Sequence, residues 1–339
     1  MTLYPLSSNV MDELKDMKKI YSCQTILDVG NNNHTTNRYR NYKTIETLSR
    51  NLGINIIIGT TYNNNSSIES IEENIARMEK ELLYGMEEDD DDDKVDNNDD
   101  TTSSKIRAGF IGEVIIRDDE SSQRELKVCA SVQNSTNAPV IIAEANPSTK
   151  ILTILDQIVS YGGNLRRTIV SHMDMYTIDV IQQVLDRGVY VCFDRYSIST
   201  SFLDYDGIIF PSMKETVERI IKLIKLNYTN QIVLSSGIVM KLQYQKYGGC
   251  GYDILLKELV PRLLSSGDVT PDQIHTMLVT NPIRLLQWWN PPPPLKRPKH
   301  YVQCTVCSEY FEPILGSYYT KYTFIYCNTK CLRKHRLAG

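Results

Sequence analysis

TIVSHMDMYTIDVIQQVLDRGVYVCFD, running from Thr168 to Asp194, carries one full repeat of the pattern that decides the fold. It opens on a short β-rich apolar run, Thr168–Ser171, and closes on another, Val189–Asp194. Between them TIDVIQQVLDRG sets Ile178, Ile181, Val184 and Leu185 at helical spacing. A strand, a helix and a second strand make a βαβ unit, and a series of such units builds a parallel sheet. The alternation continues in both directions. Upstream lie the strand-like runs Thr25–Val29, Ile54–Ile58, Phe110–Ile116 and Pro139–Ala143, and downstream Gln231–Ser235. SIESIEENIARMEKELLYG from Ser67 is a further helical pattern. The seven runs predict an α/β barrel, one strand short of the closed eight.

The 339 residues suit one such barrel, which commonly takes about 250, plus a small appendage. With 41% hydrophobic and 23% charged residues the composition is that of an ordinary globular chain, and no apolar run is long enough to span a bilayer. The opening MTLYPLSSNVMDELKDM has no basic region followed by an apolar stretch, which points to a cytoplasmic protein with reduced thiols. The net charge of -4 hides two opposed segments. EEDDDDDKVDNNDD, Glu87 to Asp100, has ten carboxylates against one Lys, whereas Leu295 to Gly339 has eight Lys or Arg against two Glu. The acidic stretch over 87–104 is expected to be a disordered loop, because it cannot bury enough surface to order itself and lacks the spaced Gly and terminal Glu of a calcium loop. NPPPPLKRPK, Asn290 to Lys299, reads as a stiff spacer. The expected domains are a barrel over 1–289, a linker over 290–300 and a small module over 301–339.

Several strand runs end in polar residues: Asp28, Glu113, His172, Asp194, and Ser235 with Ser236. Carboxyl ends of barrel strands form the face where function belongs.

KYGGCGYDILLKELVPRLLSSGDVTPDQIHTMLVTNPIRLL, Lys246 to Leu286, resembles the last loop and helices of the phosphotriesterase-related branch of the amidohydrolase superfamily, in which the Lys-Tyr-Gly-Gly, Gly-Tyr, Val-Pro and Asn-Pro elements recur in this order. NLGINIIIGTTY at Asn51, AGFIGEVII at Ala108, NAPVIIAEA at Asn137 and the opening stretch from Thr168 agree in order and spacing, so the resemblance runs from about Asn9 to about Leu286. It implies a TIM-type (β/α)8 barrel and a metal-dependent hydrolase in which two divalent ions activate a hydroxide against an ester, lactone, amide or phosphotriester centre.

The ligands that the resemblance implies are not all here. The family's first-strand His-x-His pair has no counterpart, because the sequence matches from the first helix and only Thr2–Ser8 precedes it; the first strand is expected to be missing or shortened, with that fragment, another chain or nothing at its place. The bridging carboxylate matches Glu113 and the sixth-strand histidine matches His172. The fifth-strand histidine is replaced by Ala143, and Glu144 beside it cannot serve, since alternate strand residues face opposite ways. The eighth-strand aspartate is replaced by Gly237. Glu113 and His172 are therefore expected to be remnants of a degenerate binuclear site, bonded to each other or to water in place of a metal. Asp194 and Asp28 resemble supporting carboxylates, His34 reads as a loop histidine, and His275 and His300 suggest no ligand.

Cys23, Cys129, Cys192 and Cys250 are scattered and read as inert thiols. Cys304, Cys307, Cys327 and Cys331 form C-x2-C, nineteen residues, then C-x3-C. That spacing suits a four-thiolate zinc site resembling a treble clef, with a hairpin between the pairs and His335 as an alternative ligand. Two function classes follow: a hydrolase by descent with weak or absent turnover, and a non-catalytic barrel that binds a small molecule or scaffolds a protein partner through its zinc module. Nucleic-acid binding by the basic module, with Tyr301, Tyr318, Tyr319, Tyr322 and Phe324 stacking on bases, is less favoured than those aromatics forming the module's own core. No membrane partner is expected.

Overall fold

A computed structural model of the chain describes residues 8–29, 42–63, 69–86, 106–148, 150–198, 210–288, 302–311, 313, 318–321 and 324–337. The Thr2–Ser8 fragment apart from Ser8, His34, the acidic 87–104 stretch, the 290–300 spacer with His300, and Tyr301 and Tyr322 lie outside the described residues. The chain divides into two compact units, Met1–Trp289 and Asn290–Gly339.

In the first unit α1 (Ser8–Tyr21) precedes seven strands: β1 (Thr25–Asp28), β2 (Asn55–Thr60), β3 (Phe110–Ile116), β4 (Val140–Glu144), β5 (Thr168–Val170), β6 (Tyr190–Phe193) and β7 (Ile232–Leu234). Helices follow them in turn: α2 (Tyr42–Leu52), α3 (Ile71–Leu83), α4 (Glu120–Thr136), α5 (Ile151–Ser160), α6 (Ile178–Asp186) and α7 (Met213–Lys225). The strands pair in chain order, every neighbouring pair parallel, in a single curled sheet. All five residues of β4 are buried, as they must be in a parallel strand with side chains on one face and helices on the other. α5 buries Ile151, Ile154, Leu155 and Ile158, one stripe at helical spacing. α3 and α7 are started by capping boxes, Ser70 with Glu73 and Ser212 with Glu215.

The inner face of the sheet is filled by Phe110, Ile141, Ile169, Cys192 and Val233, one residue from each of five strands, and Leu285 packs among them. Each fully buried aliphatic side chain here contributes roughly 1.5–3 kcal/mol. Leu285 belongs to α10 (Asn281–Leu286), reached after β7 through a π turn, α8 (Val260–Ser265), α9 (Pro271–His275) and a second π turn. Asn281 holds it to the sheet, donating to the carbonyls of Thr229 and Ile232 at 2.8 and 2.7 Å. At the other side of the sheet Leu14 and Met17 of α1 pack with Leu48 and Leu52 of α2 and with Tyr244 and Tyr252, which follow β7. Glu13 of α1 accepts the backbone N–H groups of Gln245 and Tyr252. The sheet therefore curls until the segment after β7 reaches the first helix. Among the described residues no helix is long and apolar enough to cross a membrane.

In the second unit β8 (Val302–Gln303) pairs antiparallel with β9 (Tyr310–Phe311), and β10 (Tyr319–Lys321) with β11 (Phe324–Tyr326), ahead of α11 (Thr329–Leu337). Cys304 and Tyr326 are its buried centre, whereas Tyr319 and Phe324 are exposed.

Candidate functional site

The middle of β3 and the carboxyl ends of β5 and β6 bring three donor side chains together. Glu113 sits where the β3–β4 register breaks between Ile111 and Val114. His172 is two residues past the end of β5 with a left-handed φ of 62°, and Asp194 directly follows β6. Ligand atoms of the three all lie within 4.8 Å of one another. His172 Nε2 is 3.7 Å from Glu113 Oε1 and 3.9 Å from Asp194 Oδ2, and the His172 backbone N–H donates to Asp194 Oδ1 at 3.0 Å. Asp194, read from sequence as a supporting carboxylate, is thus a full member of the cluster. Its neighbour Arg195 places its guanidinium on the His172 ring, bonded at Nε2 and 3.4 Å from Nδ1.

Burial dominates the electrostatics. It lowers the pKa of His172, with Arg195 adding to the effect against the pull of Asp194 and Glu113. Burial pushes Glu113 up, but His172, Arg195 and the Ser171 hydroxyl outweigh it and hold the carboxyl below its ordinary value. Asp194 and Asp174 are raised by burial. Asp174 takes the Arg195 backbone N–H on Oδ2 at 2.6 Å, while its buried Oδ1 has no hydrogen-bond partner.

Ala143 and Gly237 are the two positions at which the resemblance implies a lost ligand. Ala143 is completely buried on β4, while Glu144 beside it turns to the helix side. There Glu144 accepts the Ser148 hydroxyl at 2.8 Å, the Tyr176 hydroxyl at 2.6 Å, and the N–H groups of Ser148 and Ile151 at the start of α5. Gly237 has φ +62°, and a Cβ built on it would lie 1.7 Å from the carbonyl oxygen of Asp194. Gln243 locks that geometry, donating to the carbonyl of Gly237 at 3.1 Å and to Ser197 Oγ at 3.0 Å while accepting the Val239 and Met240 N–H groups. Among the described residues the cluster brings together three donors, fewer than two metal ions, each needing about three protein ligands and an open position, would use. Asp28 shares the face of Ile26, which packs with α1 and α2, and His275 is exposed beside Thr280; neither joins the cluster.

The second candidate lies in the small unit. Sγ atoms of Cys304, Cys307, Cys327 and Cys331 all lie within 4.8 Å of one another, with Cys307–Cys327 at 3.6 Å and Cys327–Cys331 at 3.7 Å. A tetrahedron of Zn–S bonds of about 2.3 Å has edges of about 3.8 Å, so these separations fit four thiolates on one zinc. Asn328 caps α11 by accepting the Cys331 N–H at 2.9 Å, which fixes the second cysteine pair. His335 is held elsewhere: its Nδ1 bonds the Tyr326 hydroxyl at 2.8 Å, and its ring meets Phe324 edge-on at 4.7 Å. Cys23, Cys129, Cys192 and Cys250 form no disulfide, and Cys129 and Cys192 are buried.

Sequence comparison separates the same two units. Residues 299–339 match the Vms1-associating treble clef domain, and residues 7–286 match the phosphotriesterase family. An N-acetyltaurine hydrolase of Danio rerio is 26% identical over 267 residues, 75% of this chain and 71% of the relative. A phosphotriesterase-related protein of Nematostella vectensis is 27% identical over 284 residues, covering 80% and 75%. Among solved structures, a phosphotriesterase homology protein of Escherichia coli, complexed with phosphate in its active site, superposes with a TM-score of 0.67 at 21% identity over 83% of this chain and 89% of that one. A resiniferatoxin-binding protein of Rhodobacter sphaeroides gives 0.69 at 22% identity, covering 82% and 75%. The seven parallel strands in chain order, the polar cluster that β3, β5 and β6 assemble and a match running from residue 7 to residue 286 place the chain in the phosphotriesterase family.

Proposed function

We propose that this barrel descends from metal-dependent hydrolases but works as a small-molecule-binding domain without a binuclear centre, joined to a zinc module that contacts a protein partner. Gly237 is the observation that supports this most strongly. At the position where the family carries its proton-accepting aspartate, the Asp194 carbonyl already fills the space a side chain would need. A carboxylate there requires the backbone to move, and Ala143 removes a second ligand in the middle of a well-packed strand. Glu113, His172 and Asp194 keep the site polar, which suits the binding of a compact polar ligand. In the module we assign Cys304, Cys307, Cys327 and Cys331 to one zinc, and the association with Vms1 in the name of the matching domain family makes a protein the favoured partner.

The test is hydrolysis of N-acetyltaurine, the substrate named for the relatives, and of a lactone and a phosphotriester, with and without added zinc or manganese. Turnover near background is expected, since loss of a single acid–base group commonly costs a factor of about 10² or more. Robust metal-dependent turnover by the unmodified chain, abolished by Glu113→Ala, would show instead that three donors sustain catalysis.

A further inference from the structure

We infer that the small unit docks its partner on the outer stripe of α11 and the adjoining aromatic side of the β10–β11 hairpin, and that the partner offers an acidic protein segment with an apolar anchor. The inference deepens the proposed reading of the module as a protein-binding unit and rests on it. In the hairpin Tyr319 lies opposite Tyr326, and Phe324, two residues from Tyr326, shares its face. Tyr326 is buried there, while Tyr319 and Phe324 are each 38% exposed. This face meets α11 through His335, whose Nδ1 bonds the Tyr326 hydroxyl at 2.8 Å and whose ring lies 4.7 Å from that of Phe324. Cys331 and His335, four apart, mark the inward stripe of the helix. Lys330, Arg333 and Lys334 stand at i, i+3 and i+4 on the neighbouring stripe, all exposed, and Lys334 directly precedes His335. The cations therefore border the aromatic side.

Stability of the helix does not account for these charges. Lys330 and Lys334 are like charges at i, i+4, which weakens a helix, and Lys330 stands in the first turn, where the dipole disfavours a cation and α11 has no acidic residue. Among the described residues none of the three makes an ion pair. A four-thiolate zinc site, with a net charge of about −2, neutralises only part of the excess, since Leu295 to Gly339 has eight Lys or Arg against two Glu. Exposed aromatics bordered by unpaired cations have the composition of an interface, in which aromatics and Arg supply much of the energy and opposite charge steers the partner in. The complementary segment carries carboxylates for the helix stripe and an apolar side chain for Phe324.

The experiment follows the fluorescence anisotropy of three labelled probes against the zinc-loaded full chain: a peptide in which glutamates surround a Leu-Phe pair, the same peptide with every glutamate changed to glutamine, and oligouridylate of equal length. The proteins are the parent, Phe324→Ser, a triple variant (Lys330→Ser, Arg333→Ser, Lys334→Ser) and a charge-matched control on the barrel unit (Lys19→Ser, Lys127→Ser, Lys222→Ser), where all three lysines are exposed. Zinc content checks that the module stays folded. The glutamate peptide is expected to bind at least about tenfold more tightly than the glutamine peptide, to lose at least about tenfold with the triple variant and about fivefold with Phe324→Ser, and to be unaffected by the barrel control. If the triple variant loses its zinc, Lys334→Ser and Phe324→Ser carry the test, each with an expected loss of at least about threefold, and no loss from either overturns the inference. A glutamate peptide held no more tightly than the glutamine peptide, or weakened equally by the triple variant and the barrel control, overturns this surface and leaves the protein-binding reading standing. Oligouridylate held more tightly than the glutamate peptide, and lost with the same module variants, overturns both.

Discussion

Replacing Gly237 with Asp, which restores the family residue on paper, is expected to destabilise the barrel. The backbone there is left-handed, φ +62°, which costs a non-glycine residue roughly 1–2 kcal/mol. The new Cβ lies 1.7 Å from the Asp194 carbonyl oxygen, a backbone atom that no rotamer change can move. Relief therefore needs a shift of the β6 end or of the loop pinned by Gln243, at roughly 1–3 kcal/mol of overpacking. Loss of glycine's freedom in the unfolded chain offsets at most about 1 kcal/mol. The net loss is about 3 kcal/mol, which for a unit of this size corresponds to a fall in Tm of about 6–12 °C. Differential scanning calorimetry at neutral pH measures it, with Gly237→Ala as the control that adds the same Cβ without a carboxylate. Similar losses in both variants are expected. A Tm within about 2 °C of the parent for Gly237→Asp, or a rise when zinc is added, would refute the steric argument and show that the loop can open to accept a ligand.

Three further outcomes follow from particular contacts. Glu125 on α4 is 7% exposed, and burial raises its pKa to about 7, above the ordinary 4.5. The folded state holds this proton more tightly, so the group's contribution is fully present below about pH 4.5 and lost as pH rises through 7; Glu125→Gln should gain roughly 1–3 kcal/mol over the parent at pH 8 and nothing at pH 4, read by urea melts. Tyr176→Phe removes a donor to the buried Glu144 and is expected to cost roughly 1–3 kcal/mol in the same melts while leaving metal content unchanged. In the zinc module His335→Gln should retain one zinc, because the ring bonds Tyr326 and packs on Phe324, whereas Cys331→Ala should release it; equal loss from both would make His335 a ligand.

Much of the architecture was legible in the sequence. All seven strand-like runs are strands within a residue or two, because short β-branched runs separated by helical stripes leave little choice in a parallel sheet. The side of β4 was also legible: strand alternation sends Glu144 outward to cap α5, away from the site. The helical stripe in α6 was shifted slightly, with Val180 buried in the place expected of Ile178, since the register of a helix against its sheet is set by packing and not by period alone. The composition of the cluster was less accessible. Asp194 and Arg195 are adjacent in sequence, and only the turn after β6 sends one carboxylate and one guanidinium to the same imidazole. His335 has ligand spacing from Cys331, and its engagement by Tyr326 depends on how β11 meets α11. Tyr319 and Phe324, expected inside the module, are exposed, because a centre of Cys304 and Tyr326 leaves little room for more. Gly237 reads in sequence as a lost ligand; that the position is sterically closed depends on the Asp194 backbone packed against it.

The most direct test of the central claim is elemental analysis of the purified full chain after exhaustive dialysis, beside Glu113→Ala and Cys304→Ala. The account predicts one zinc per chain, unchanged by Glu113→Ala and lost with Cys304→Ala. Two or more equivalents of metal, with the excess removed by Glu113→Ala, would contradict it.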